Sequence, residues 1–383
     1  MKILIITMDL GKSAAGIVFE RIIRGVSKIH NVDLLTSEYE PSVKLAEVKK
    51  ILVIKRKEFH PRIHRFLISI FGINPFDWWW SKKAVSLMGK KDYKGYDLVF
   101  SLITFHHYTP LIAGVLYTKN HSSKLAVHSL DAIPAPIGWS KNDSYFRSVK
   151  KMMARYLPKS DFFFTTNEQM LEYQLSTFIA KKSIITEVIY NLSFGKLINY
   201  DYCDTEKNTF LYTGGLYEAR QPKYILEAFK RILSEYPEST LEFVGSNLSE
   251  NSFPVFNPAD KKKIIIHPFT KDLKPYYERA TALIDIDGDL PNDVFLSSKI
   301  TNYITINRII ITQTGDNSPS RKIFKNILSI LQCGHNVEEL TNAMREAILQ
   351  KGKVDFTDRA NVISLFNLNS VIDKLNKKIA YTN

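Results

Sequence analysis

Thr209-Phe-Leu-Tyr-Thr-Gly214-Gly215-Leu-Tyr-Glu-Ala-Arg220-Gln-Pro222 decides how this chain is read. A short β-prone run ends in two glycines, a basic residue follows, and a proline suits the first turn of a helix. Beyond it, Ile225, Ala228, Phe229, Ile232 and Leu233 recur at helical spacing, the stripe that packs a helix on a sheet. A strand passing into a helix through glycines exposes backbone amides, and a fixed cation beside them suits a diphosphate. A second such turn, Asp9-Leu-Gly11-Lys-Ser-Ala-Ala-Gly16, follows the apolar run Lys2–Thr7, about 200 residues upstream. Two glycine turns opening successive α/β units predict a cleft with a nucleotide on one wall.

Short apolar strands alternate with helical patterns along the whole chain, at Val32–Thr36, Ile51–Ile54, Asp97–Ile103, Lys124–His128, Asp161–Thr165 and Thr186–Ile189 in the first half. The second half repeats the alternation at Phe210–Thr213, Thr240–Val244, Ile264–His267, Ala282–Asp287, Ile309–Thr312 and Ile327–Leu331. Such βαβ alternation predicts parallel sheets covered by helices on both faces. The fold class is therefore α/β, with two tandem Rossmann-like, doubly wound domains that bind ligands at the carboxyl ends of their strands. The boundary falls in the polar stretch Asn191–Asn208, giving domains 1–195 and 196–365, with a last helix in 366–383 that returns to the first domain.

The 383 residues carry a net charge of +13, and all of it lies in the first half. Residues 1–200 hold 29 Lys and Arg against 16 Asp and Glu, which leaves 23 bases (52 less 29) and 23 acids (39 less 16) for the remainder. In residues 53–94, ten basic side chains face three acids, interleaved with Phe66, Ile70, Phe71 and the triplet Trp78-Trp79-Trp80. Basic residues among Trp and Phe are what an interfacial segment uses on anionic lipid, with Lys82 and Lys83 beside the tryptophans as headgroup contacts. No nucleic-acid-binding motif is present. Met1–Asp9 is too short and ends too acidic for a signal peptide, and no apolar run nears the roughly 20 residues of a membrane span. The two cysteines, Cys203 and Cys333, have no metal spacing and fit a reducing compartment. GxSxG, the P-loop lysine motif and HExxH are all missing.

The order of these motifs resembles the GT-B glycosyltransferases, specifically the retaining enzymes of family 4. The likeness is tightest over residues 209–316, where the glycine-plus-basic loop is followed by Leu241-Glu-Phe-Val-Gly245 and Phe295-Leu-Ser-Ser-Lys-Ile-Thr-Asn-Tyr303. The resemblance implies that Arg220 lies against the donor diphosphate, where a cation stabilises the charge that grows as the sugar bond breaks. Gly214 and Gly215 would allow close phosphate approach, although many relatives place a second Arg where Gly215 stands. Lys299, after Ser297 and Ser298 at a helix start, is a second donor-phosphate contact, with the serines as cap and amide site. Asn302 stands where the family hydrogen-bonds the ribose through an acid. Val294 stands where the family has a further glutamate, and one of Asp287, Asp289 and Asp293, on the preceding acidic loop, is expected to contact the transferred sugar, the sequence leaving open which.

In the first domain, His128 ends a strand with Asp131 three residues later, a pair placed to position the sugar or the acceptor hydroxyl. His106 and His107 are weaker candidates, and Gly11 and Gly16 permit backbone approach to the donor. The implied reaction uses a UDP- or GDP-type nucleotide sugar as co-substrate, with no metal and no bound cofactor. A glycan or polyprenyl-linked acceptor receives the sugar with retention, the leaving diphosphate taking its proton. The setting implied is the cytoplasmic face of the plasma membrane, in surface polysaccharide assembly. Three other readings stay open: a non-catalytic GT-B subunit, motivated by Gly215, Val294 and Asn302; an inverting transferase; and a sugar-nucleotide epimerase.

Overall fold

The computed structural model describes the chain apart from residues 12, 42–43, 58, 91–92, 106, 179–183, 194, 203–206, 250–251, 254–255 and 381–383. Two compact units emerge, residues 1–192 with 368–383, and residues 193–367. His106 and Cys203 lie outside the described residues.

The first unit runs β1 (Lys2–Ile6), α1 (Ala14–Ser27), β2 (Asn31–Thr36), β3 (Lys50–Val53), α2 (Pro61–Phe71), α3 (Pro75–Lys90), β4 (Leu98–Ile103), α4 (Thr109–Thr118), β5 (Lys124–Ser129), α5 (Ser144–Tyr156), β6 (Phe162–Thr165), α6 (Glu168–Phe178) and β7 (Ile185–Val188). Its seven strands pair in parallel in the order β3-β2-β1-β4-β5-β6-β7. Because successive side chains of a strand point to opposite faces, each strand feeds two cores. Leu4 and Ile6 join Val99 and Trp80 on one side, while Ile3 and Ile5 join Val18, Ile22 and Val26 of α1 on the other. Order reverses between β1 and β4, so their carboxyl ends open the crevice in which doubly wound sheets bind ligands.

The second unit continues with β8 (Thr209–Thr213), α7 (Lys223–Glu235), β9 (Thr240–Val244), α8 (Pro258–Lys261), β10 (Ile264–His267), α9 (Lys274–Arg279), β11 (Ala282–Ile286), α10 (Ile300–Tyr303), β12 (Ile309–Gln313), α11 (Pro319–Ile323), β13 (Ile330–Cys333), α12 (Val337–Leu349) and α13 (Ala360–Leu365). Its six parallel strands are ordered β10-β9-β8-β11-β12-β13, with the reversal between β8 and β11. Ile225, Ala228, Phe229, Ile232 and Leu233 of α7 are all buried in its core. The final helix, α14 (Leu368–Ala380), packs Val371, Ile372, Leu375 and Ile379 into the α1 side of the first unit.

At the amino ends of the second sheet sit two fully buried arginines, Arg308 and Arg359. Arg308 donates to the carbonyls of Ala280, Glu278, Tyr200, Asp201 and Asn307, and its guanidinium lies 3.8 Å from the Tyr202 ring centroid. Arg359 donates to the carbonyls of Ile306, Arg308 and Ser329 and to the Ser329 hydroxyl. Multiple donors on a planar group let one side chain tie several loop segments together. Among the described residues, no helix is long and apolar enough to cross a membrane.

Candidate functional site

The carboxyl ends of β8 and β11 bring together the loop 214–222, the loop 287–299 and the short helix α10. Arg220 is 5% exposed, its guanidinium 5.5 Å from the Tyr217 ring centroid and 3.4 Å from the Tyr217 hydroxyl. Burial opposes its charge, but the oxygens of Tyr212 and Tyr217 and the carboxylates of Asp287 and Asp285 raise the guanidinium's pKa above its ordinary value. Lys299 lies over Gly214: a Cβ at residue 214 would meet Lys299 Cδ at 3.3 Å and Nζ at 3.9 Å. Its Nζ stands 5.2 Å from the Tyr212 ring centroid. Desolvation, and then repulsion from Arg220, pull the lysine down to about 7 against the attraction of Asp285 and Asp287. Arg220 and Lys299 thus stand beside the carboxyl groups of Asp285, at the end of β11, and Asp287.

Desolvation, then the neighbouring Asp285 and Asp293, push Asp287 well above the usual carboxylate range. Its Oδ2 accepts from the Ser320 hydroxyl at 2.9 Å, while Asp285 Oδ1 accepts from Ser297 at 2.8 Å. The remaining oxygens, Asp285 Oδ2 and Asp287 Oδ1, are buried with no hydrogen-bond partner. Carboxyl groups left half-satisfied beside Arg220 and Lys299 form a polar site able to take hydroxyl groups and an anion together. Tyr303 of α10 secures the floor, its hydroxyl accepting from Thr213 N–H at 2.9 Å and sharing a 2.8 Å bond with the Thr213 hydroxyl.

Several expectations change in detail. Ser297 and Ser298 do not cap a helix: Ser297 is spent on Asp285, the Ser298 carbonyl accepts from Thr301 and Asn302, and α10 begins after Lys299 without a side-chain cap. Asn302 Nδ2 donates to Ser298 O at 3.3 Å. Gly214 has φ +98°, and the room its missing side chain leaves is taken by Lys299; Gly215 meets nothing closer than Tyr217 at 3.7 Å. Asp293 is buried and accepts from the Gly288 and Phe295 amides, whereas Asp289 is half exposed beside Lys223 at 3.2 Å.

The first unit's expected residues part company. His128 is fully buried at the end of β5: its Nε2 lies 3.3 Å from Ile189 O, and desolvation lowers it to about 4. A carbonyl only accepts, so Nε2 carries the proton and Nδ1 is a bare, buried acceptor. Asp131 accepts from Phe105 N–H at 3.0 Å, which fixes the loop after β4. At Gly11 and Gly16 the chain's own backbone leaves no room for a side chain. A Cβ at residue 11 would stand 1.8 Å from Glu40 O, and one at residue 16 would stand 2.7 Å from Gly11 N. The tryptophan triplet divides, as a helix requires of adjacent residues. Trp80 is core and donates to Ile54 O at 2.7 Å, Trp78 is half-buried under Lys82 Nζ at 3.7 Å, and Trp79 is 73% exposed. Lys82 and Lys83 are exposed.

A cavity of about 450 Å³ sits instead at the carboxyl ends of β1 to β4, lined among others by Asp9, Glu38, Arg56, Phe59, Arg65 and Tyr145. Arg56 is fixed there by Asp77 at 2.7 Å and by His107 Nδ1 at 3.2 Å. Arg65 pairs with Asp143 at 2.7 Å and lies 4.3 Å from the Tyr145 ring centroid. Neither arginine was singled out in the sequence, where both merged into the basic stretch. Arg56 was marked only by standing three residues beyond a strand end.

No family model matches the chain, and no curated protein sequence does. Solved structures do match, over nearly the full length of both partners. Sucrose-phosphate synthase from Thermosynechococcus elongatus superposes with a TM-score of 0.70 at 12% identity, covering 100% of this chain and 98% of its own. The lipopolysaccharide outer core galactosyltransferase WaaB, in apo form, gives 0.66 at 13% identity with complete coverage of both chains. Anabaena HepE, solved in complex with UDP and glucose, gives 0.66 at 12% identity, covering 99% of each chain. The chain therefore has the two-domain, parallel-sheet α/β fold of the GT-B glycosyltransferases.

Proposed function

We propose that this protein is a glycosyltransferase that moves a sugar from a nucleoside-diphosphate sugar, UDP- or GDP-type, to a glycan or lipid-linked acceptor. The observation that carries the reading is the pairing of Arg220 with Lys299, which lies against Gly214 and is close enough to Arg220 to be repelled by it, at the carboxyl end of the second sheet. As the anomeric bond breaks, the departing diphosphate gains charge, and two preorganised cations lower that cost without reorganising solvent. Asp285 and Asp287, with one unpaired oxygen each, accept hydroxyls of the donor. That the matched structures include a galactosyltransferase and a complex with UDP and glucose supports the same reading.

In the finer form of the proposal, transfer proceeds with retention and without a metal, the leaving diphosphate accepting the acceptor's proton. The acceptor belongs to surface polysaccharide assembly at the cytoplasmic face of the membrane. A thermal-shift screen of nucleoside diphosphates tests the core of this. Saturable stabilisation by one nucleotide, lost in Arg220→Ala, is the expected result, and indifference to all of them would refute it. Product anomer analysis by NMR, and turnover in excess EDTA, test retention and metal independence. Nucleotide binding without transfer to any glycan would move the reading to a non-catalytic subunit, for which the bare position at Gly215 is the motive.

A further inference from the structure

Helix α2 carries its apolar stripe on the wrong side for a core helix. Amphipathic helices of globular domains turn such a stripe inward. Here Ile68 is the only buried residue of α2, while Ile63 is 49%, Phe66 62% and Ile70 58% exposed on one face, and Phe71 59% at the end. The turn that follows leads into α3, where Phe76 and Trp79 are exposed on one face at helical spacing with Lys83. Exposed apolar surface of this extent in one stretch marks an interaction site.

The charge around it selects the partner. Lys55, Lys57, Arg62, Lys82 and Lys83 are exposed. From residue 55 to 90 the sequence has two acids, Glu58, which lies outside the described residues, and Asp77, buried against Arg56, beside eight Lys and Arg. Phe, Ile and Trp flanked by an excess of exposed Lys and Arg match the headgroup boundary of an anionic bilayer, where rings enter the acyl region and amines stay with phosphates. The other side of α2 supplies Pro61, His64 and Arg65 to the 450 Å³ cavity. We infer that α2 is an interfacial helix that docks the protein on an anionic lipid surface, so that the cavity it walls opens to an acceptor held at that surface. The docking stands on the helix alone; only the acceptor's identity rests on the sugar-transfer reading.

The full chain is sedimented with vesicles of phosphatidylcholine alone or with phosphatidylglycerol added. Binding is expected only to the anionic vesicles. Ile63→Ser, Phe66→Ser and Ile70→Ser together should weaken it by about tenfold or more, and Lys82→Gln with Lys83→Gln by a smaller factor that vanishes at high salt. These residues are exposed, so the melting temperature and its rise on adding nucleotide diphosphate should stay as in the wild type. Wild-type protein remaining in the supernatant with both vesicles, or the triple variant pelleting as the wild type does, overturns the inference. So does a concentration-dependent dimer that the triple variant abolishes in place of vesicle binding. Loss of vesicle binding with the nucleotide response intact removes the docking and leaves the sugar-transfer reading standing.

Discussion

Lys299 gives the proposed donor site a pH dependence of calculable size. Its amine titrates at about 7 because the ion is desolvated and stands near Arg220. A bound diphosphate places anionic oxygens against it and returns its pKa toward the ordinary lysine range. Ligand binding therefore raises the pKa, so affinity is greatest below the free value and falls as pH rises toward the bound one. Between pH 6.5 and 8.5 the dissociation constant of a nucleotide sugar should rise about 25-fold, or about 1.9 kcal/mol. Binding near neutrality should also take up about half a proton, since a group at its pKa is half protonated. The sugar-capped diphosphate is the right probe, because its phosphates do not titrate in this window. Calorimetry in two buffers of different ionisation enthalpy reads both quantities. Lys299→Arg keeps the charge at all these pH values and should flatten the profile. Any contribution from the raised Asp287 would persist in that variant, so the difference between the two profiles isolates the lysine. A flat wild-type profile, or an equal slope in Lys299→Arg, would refute the reasoning.

Replacing Arg220 by Ala should weaken nucleotide-sugar binding by about a hundredfold, and it should also destabilise the unit by about 2–3 kcal/mol in urea, because Asp285 and Asp287 lose a buried counter-charge. Gly215→Arg should fold normally, a Cβ there meeting only Tyr217 at 3.7 Å, and a second guanidinium should tighten diphosphate binding by about fivefold or more in titration calorimetry. Gly214→Ala should instead lose about 1–2 kcal/mol of stability, because φ is +98° and the new methyl presses on Lys299. Tyr303→Phe leaves the Thr213 N–H unpaired in the floor of the site and should cost about 1–2 kcal/mol by chemical denaturation.

The strands were readable because parallel sheets bury both faces, which writes each strand as a continuous β-branched run. Lys2, Thr240, Ile264, Ala282 and Ile309 all begin strands at the expected residue. The last strand was expected at Ile327–Leu331 and lies at Ile330–Cys333. Asn326 turns with φ +67° and Leu328 is 84% exposed, so two apolar residues belong to a turn that hydrophobicity alone does not separate from a strand. The site was readable where charge and glycine coincide in one loop, as at Arg220. It was hidden where partners are distant in sequence, as for Ser297 with Asp285 or Tyr303 with Thr213. Glycines gave an ambiguous signal, since room for a ligand and room for the chain's own backbone look alike until Glu40 is placed against Gly11. Adjacent tryptophans likewise cannot be sorted into core and surface before the helix phase is known.

The carbonyl oxygens that hold Arg308 and Arg359 have one property the site residues lack: they do not titrate. Burial lowers Arg359 only to about 9, two pH units above neutrality. Acid or base across the neutral range thus changes the charge around Gly214 while the strand ends beneath it stay anchored. The second unit is in this sense a fixed frame carrying a tunable electrode, with Lys299 as the cation that proton concentration switches while the arginine anchors keep their charge.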